Sequence, residues 1–222
     1  WMRLLEIQLE RNASNQEIIQ TLSAAIIALP HIPLFYSNRG RLLALNHDYP
    51  AAAQDLILAT QLQPNNHDAW NNLGVVQQRL GDVQNARKSH QQAWQLAPDN
   101  MEYLLNLAIA TADDNDLPTA IALYEKIISQ KPDMVSAYWN LGTIYHGQRQ
   151  FDKAEAMHLA AIQYGADSAN IYLNLGHLYR DMGRRDDSIV AYQKCLEREP
   201  THEIARYMIA TLSGESPAAP PN

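Results

Sequence analysis

The chain has 222 residues, 46% of them apolar, 18% charged and 8% aromatic, a composition that folds rather than staying disordered. Its 24 acidic residues outnumber 17 basic ones for a net charge of −7, which argues against a nucleic-acid surface because phosphate binding wants Lys and Arg in excess. The single cysteine, Cys195, excludes an internal disulfide and a multi-cysteine metal site and suits a reducing compartment, so a cytoplasmic protein is expected.

The opening WMRLLEIQLE lacks the basic start, apolar run and cleavage site of a secretory signal. The longest apolar run, around Ala24 to Leu29, stops at Pro30, far short of the ~18–20 residues of a membrane span. No membrane insertion is expected. Residues 15–29 (NQEIIQTLSAAIIAL) read as a helix closed by Pro30, and with residues 1–11 they make a degenerate helix pair over 1–32.

From residue 33 onward the chain repeats itself. Small residues recur at Gly40, Gly74, Ala108, Gly142 and Gly176, each 34 residues after the last. The same step relates Ala52, Ala86, Ala120, Ala154 and Ser188, and also Ala59, Ala93, Ile127, Ala161 and Cys195. It relates Tyr36, Trp70, Leu104, Tyr138 and Tyr172, and a boundary column of Pro64, Pro98, Pro132, Ala166 and Pro200. Each unit reads as two helices. In the second, residues 68–80 carry Trp70, Leu73, Gly74 and Gln77 on one stripe, and Gly81-Asp82 ends them. Residues 83–96 follow, with Ala86, His90, Ala93 and Leu96 on one stripe, closed by Pro98. Gly74 and Ala86 are expected where the two antiparallel helices approach most closely.

This pattern closely resembles the tetratricopeptide repeat, a 34-residue helix-turn-helix unit. The stretches WNNLGVV (70–76), YWNLGTIY (138–145) and YLNLGHLY (172–179) carry its signature places. Five units then run 33–66, 67–100, 101–134, 135–168 and 169–202. Arg39 stands where Leu is usual, Gln77 and Thr111 where Tyr is usual, and Ala166 where Pro is usual. Residues 203–213 add a helix expected to cap the last unit, and 214–222 form a Pro/Ala-rich tail. The resemblance implies an all-α, right-handed superhelical solenoid of thirteen helices, with first helices lining the concave face.

Function is expected where packing does not dictate the residue. Asn38, Asn72, Asn106, Asn140 and Asn174 form a column two places before the small residue. Asn is a mediocre helix former, so mid-helix packing does not select it. By helical geometry the column lies off the core stripe, facing the groove, where a carboxamide can both donate to and accept from one peptide unit. The structural alternative is that each Asn bonds a neighbouring helix. The superhelix of O-linked GlcNAc transferase and its bacterial relatives has a similar asparagine ladder that holds substrate peptides.

Neighbouring groove places are mixed. They include Arg79, Leu105, Trp139, His146, Leu173, His177 and Arg180, with Leu105, Trp139 and Leu173 expected as an apolar patch about midway. The groove has no Lys, which disfavours a clamp for acidic chaperone tails. His146 and His177 are expected to come close, with Asp181 as the tempting third metal ligand, but solvated histidines are the preferred reading and no metal is assigned. His90 and His158 fall on a packing column, where they are expected to be half-buried, and Cys195 reads as a small buried hydrophobe. No phosphate loop or nucleophile motif is present, so neither active site nor cofactor is expected. The expectation is a monomeric interaction module binding an extended peptide or partner protein. The ending RYMIATLSGESPAAPPN resembles the junction of bacterial tetratricopeptide–methyltransferase fusions. The first alternative is therefore the recognition arm of a modifying enzyme, a methyltransferase before a glycosyltransferase. The second is a self-associating scaffold.

Overall fold

A computed structural model describes residues 13–215, which form twelve α-helices; the pair member read at 1–11 and the tail beyond 215 lie outside them. The helices are α1 (Asn15–Ala28), α2 (Pro33–Leu45), α3 (Tyr49–Leu62), α4 (His67–Arg79), α5 (Val83–Leu96) and α6 (Met101–Asp113). Then come α7 (Leu117–Gln130), α8 (Val135–Gly147), α9 (Phe151–Gln163), α10 (Ala169–Asp181), α11 (Arg185–Arg198) and α12 (Glu203–Ser213). The fold is all-α, with helices packed in successive pairs. Two compact units divide inside α7, between Ala120 and Ile121.

Local chemistry sets the helix ends. Ser14 and Glu17 close a reciprocal capping box at the start of α1, the Ser14 hydroxyl accepting from the Glu17 N–H and the Glu17 carboxylate accepting from the Ser14 N–H. Asp48, Asn66, Asp82 and Asn100 cap α3, α4, α5 and α6 by accepting backbone N–H groups. The turn within each pair places its residue in the left-handed region: Gly81 and Gly183 at φ 77° and 76°, and His47, Asn115 and Arg149 at 63°, 61° and 60°. These five positions are again 34 apart.

In the first unit, α2 packs on α3, α4 on α5, and the first helices α2, α4 and α6 touch one another in turn. In the second, α8 packs on α9 and α10 on α11, α8 touches α10, and α12 lies on α11. The alanine columns are fully buried, with Ala52, Ala86, Ala93, Ala154 and Ala161 at 0% exposure. The glycines stand close against the second helix of each pair. A Cβ on Gly74 would meet the ring of His90, at 2.7 Å, and one on Gly142 would meet His158 at the same distance. Gly176 faces the ring of Tyr192 and Gly40 the side chain of Leu56. Each glycine is therefore a notch for a large side chain sixteen residues later.

Arg39, the departure from Leu, is accommodated by a partner on the second helix of its pair. Its Nε and Nη2 donate to the two oxygens of Asp55 at 2.7 Å each, and its Nη1 donates to Ser23 Oγ at 3.0 Å. Asp55 is only 4% exposed.

Candidate functional site

In the first unit, Asn38, Asn72 and Asn106 occupy equivalent places on α2, α4 and α6, each half-buried. Their surroundings differ. Asn106 Nδ2 donates to Asn71 Oδ1 at 2.9 Å, fastening α6 to α4. Asn71 Oδ1 also lies 3.1 Å from His90 Nδ1, and His90 Nε2 lies 3.1 Å from Gln78 Oε1. Gln78 Nε2 in turn donates to Asp113 on α6. Asn106 thus makes the inter-helix bond of the structural alternative, at one end of a side-chain network across α4, α5 and α6. Asn38 and Asn72 have no hydrogen-bond partner among the described residues.

The column one place before the asparagines is not open surface. Asn71 there meets the next first helix, and Leu105 in the same column is 7% exposed within the core. Leu105 therefore offers almost no surface to a ligand. Arg79, the last residue of α4, is exposed and lines a cavity of about 300 Å³ with Asn72.

In the second unit, Asn140 on α8 and Asn174 on α10 are half-buried without a hydrogen-bond partner among the described residues. Trp139 and Leu173 beside them are half-buried too. The histidines divide. His146 Nε2 lies 2.9 Å from Asp181 Oδ2, whereas His177 Nδ1 lies 2.8 Å from the Tyr192 hydroxyl. Arg180 donates from Nε and Nη2 to the other Asp181 oxygen, at 2.9 and 2.7 Å. Burial pushes the Asp181 carboxyl up, but the bonds from Arg180 and His146 prevail and hold it below its usual value. Among the described residues no three His, Cys, Asp or Glu side chains gather as a metal site would need.

His90 and His158 are both at 0% exposure rather than half-buried, and burial lowers each to about 4. His90 has its two amide neighbours. Neither ring nitrogen of His158 has a partner among the described residues. The reason lies two repeats along: the places of Asn71 and Gln78 are taken by Trp139 and by His146, which is bound to Asp181. Cys195 is buried, and burial pushes its thiol up.

Among the described residues no helix is long and apolar enough to cross a membrane. None of the curated proteins matches the chain in sequence. Solved structures resemble it at low identity, and that likeness concerns the fold. Pseudomonas aeruginosa PilF superposes with a TM-score of 0.73 at 16% identity, over 96% of this chain and 95% of that one. YrrB, a repeat protein described as having an unusual peptide-binding site, gives 0.64 at 17%, over 84% and 96%. The Thermus thermophilus protein TTC0263 gives 0.64 at 23%, over 82% and 99%. In sequence, residues 169–202 match the tetratricopeptide repeat. Residues 52–164, just over half of the chain, match the cytochrome c-type biogenesis protein H TPR domain. The chain is a tetratricopeptide-repeat interaction module and belongs to the family of the cytochrome c-type biogenesis protein H TPR domain.

Proposed function

We propose that the chain binds extended polypeptide through the faces of its first helices, with asparagine carboxamides bonding the ligand backbone. One observation carries the reading. Asn38, Asn72, Asn140 and Asn174 keep half-buried carboxamides with no hydrogen-bond partner among the described residues, at a helix position where packing does not favour Asn. A donor and an acceptor on each suit a peptide unit whatever side chain it bears. Asn106 is left out, since it is committed to Asn71. The family's description carries cytochrome c-type biogenesis, and the reading takes a non-catalytic role in such assembly as its setting: holding a polypeptide for other factors.

The test uses peptides selected from a random library against the full chain. Replacing Asn38, Asn72, Asn140 and Asn174 together with Ala is expected to preserve the helical spectrum, because Ala is the better helix former. A net hydrogen bond is worth ~0.5–1.5 kcal/mol, so four lost pairs cost on the order of 2–6 kcal/mol of binding, at least ~30-fold. Selected peptides that bind the quadruple variant as tightly as the parent chain refute the reading.

A further inference from the structure

Beside Asn72 lies a cavity of about 300 Å³ in the first unit, walled by Leu45, Val75, Tyr49, Asn72, Arg41 and Arg79. Its volume is at the low end for binding pockets and suits a single side chain. Leu45 and Val75 are 57% and 38% exposed there, an apolar surface that nothing among the described residues covers. The Tyr49 hydroxyl and His47 Nδ1, 2.9 Å apart, brace one wall.

The charge around it is unusual for this acidic chain. Among the described residues the other arginines of the unit are neutralised, Arg39 by Asp55 and Arg87 by Asp114 and Asp116. Arg41 and Arg79 have no acidic partner among the described residues. The nearby carboxylates are engaged elsewhere: Asp48 accepts from the Ala51 N–H at the start of α3, and Asp113 accepts from Gln78. A guanidinium cannot shed its charge, so an apolar pocket edged by two of them attracts an anion that carries apolar substance.

We propose that this pocket is a specificity subsite for an acidic–x–aliphatic–x–acidic stretch of an extended peptide, an inference that rests on the peptide-binding reading above. In an extended chain alternate side chains share one face. An aliphatic side chain entering the pocket is then flanked, on that face, by carboxylates two residues to either side. Arg41 and Arg79, on separate helices, take one each, while Asn72 bonds the backbone between them. Two arginines call for two carboxylates. A chain terminus, with one, leaves the second arginine unmatched.

The probe is the capped peptide acetyl-Ser-Glu-Thr-Leu-Thr-Glu-Ser-amide, titrated into the full chain at low salt and followed by amide NMR. Its controls are the same peptide with Gln for both Glu, and acetyl-Ser-Gln-Thr-Leu with a free carboxylate. The Glu peptide is expected to shift the amides of Asn72, Val75 and Val76 and to bind roughly 2- to 30-fold tighter than the Gln peptide, the range for two exposed ion pairs. That preference should shrink at 0.5 M salt and vanish in an Arg41→Gln/Arg79→Gln variant. A second variant, Arg41→Glu/Arg79→Glu, should prefer the corresponding Lys peptide. Equal binding of the Glu and Gln peptides, equal binding of the free-carboxylate control, or an undiminished preference in the variants overturns the subsite. Asn72→Ala separates the two readings. If it weakens the Glu and Gln peptides alike while neither is preferred, the subsite fails and the backbone-binding reading survives.

Discussion

His90 and His158 occupy the same place in two repeats, and the structure predicts opposite outcomes for the same substitution. Both are fully buried and held at about 4, against 6.5 for an ordinary histidine. Because the folded state resists the proton that the unfolded state accepts, each stabilises the fold fully above pH 6.5. That contribution is lost as the pH falls from 6.5 towards 4. The whole shift is worth about 3 kcal/mol per histidine, and about 2 kcal/mol is gone by pH 5. At pH 7.5, His158→Leu removes two ring nitrogens that have no partner, a relief of ~1–3 kcal/mol, offset by up to ~1.5 kcal/mol of imperfect packing against Gly142. A net gain of about 1 kcal/mol is expected. His90→Leu instead removes a hydrogen-bonding neighbour from the half-buried amides of Asn71 and Gln78, which keep Asn106 and Asp113, and should cost about 0.5–1.5 kcal/mol. Either substitution should remove about 2 kcal/mol of the stability lost between pH 7.5 and 5. Urea unfolding followed by far-ultraviolet circular dichroism at both pH values reads all of this. Equal destabilisation by the two substitutions, or a parent midpoint unchanged between pH 7.5 and 5, would refute the reasoning.

Arg149 adopts a left-handed φ of 60° where Gly81 and Gly183 stand in other repeats. Arg149→Gly relieves ~1–2 kcal/mol of strain and adds ~0.4–1 kcal/mol of unfolded-state entropy, so Tm should rise by about 1–4 °C; a fall in Tm counts against the assigned turn. Truncation after His202 deletes α12, whose Ala205 is fully buried, and uncovers the face of α11 beneath it. Lower urea midpoints or concentration-dependent aggregation are expected, and an unchanged midpoint with clean monomeric sedimentation would remove the capping role.

The repeat period is fully legible in the sequence, because a 34-residue spacing of small residues reflects a packing demand every unit meets in the same way. The helix limits follow from it. In the second repeat the pattern predicts a helix over 83–96, and Val83–Leu96 is found. What the sequence hides is the answer across a pair. The spacing marks Gly74 as a close approach but not the His90 ring that fills it, since sixteen residues and a turn separate the two. Helical angle alone puts Leu105 in the groove, and it does not show that the residue is buried in the folded chain. The asparagine column is visible as a pattern. Only the folded chain separates Asn106, bonded to Asn71, from Asn38, Asn72, Asn140 and Asn174.

Arg39 shows what a departure from a repeat signature can mean. Leu73, Leu107, Leu141 and Leu175 fill its place in the other units, so by sequence Arg39 marks a weakened first repeat. The structure puts Asp55 opposite, in a column otherwise held by Ser89, Leu123, Met157 and Ala191. A signal is therefore present in two columns at once: an acid where no acid recurs, sixteen residues after a base where no base recurs. Restoring the signature with Arg39→Leu should not repair the repeat but damage it. Asp55 would keep its burial and lose both bonds from the guanidinium, and breaking a buried pair from one side costs ~3–5 kcal/mol. Asp55→Leu alone should cost less, because the guanidinium is partly exposed and keeps its bond to Ser23. Changing both to Leu should be neutral or stabilising by up to ~4 kcal/mol, as when a buried pair is replaced by well-packed apolar residues. The coupling energy of this double-mutant cycle should then exceed ~3 kcal/mol. A cycle in which the two single losses simply add would show that Arg39 and Asp55 do not hold each other in the folded chain.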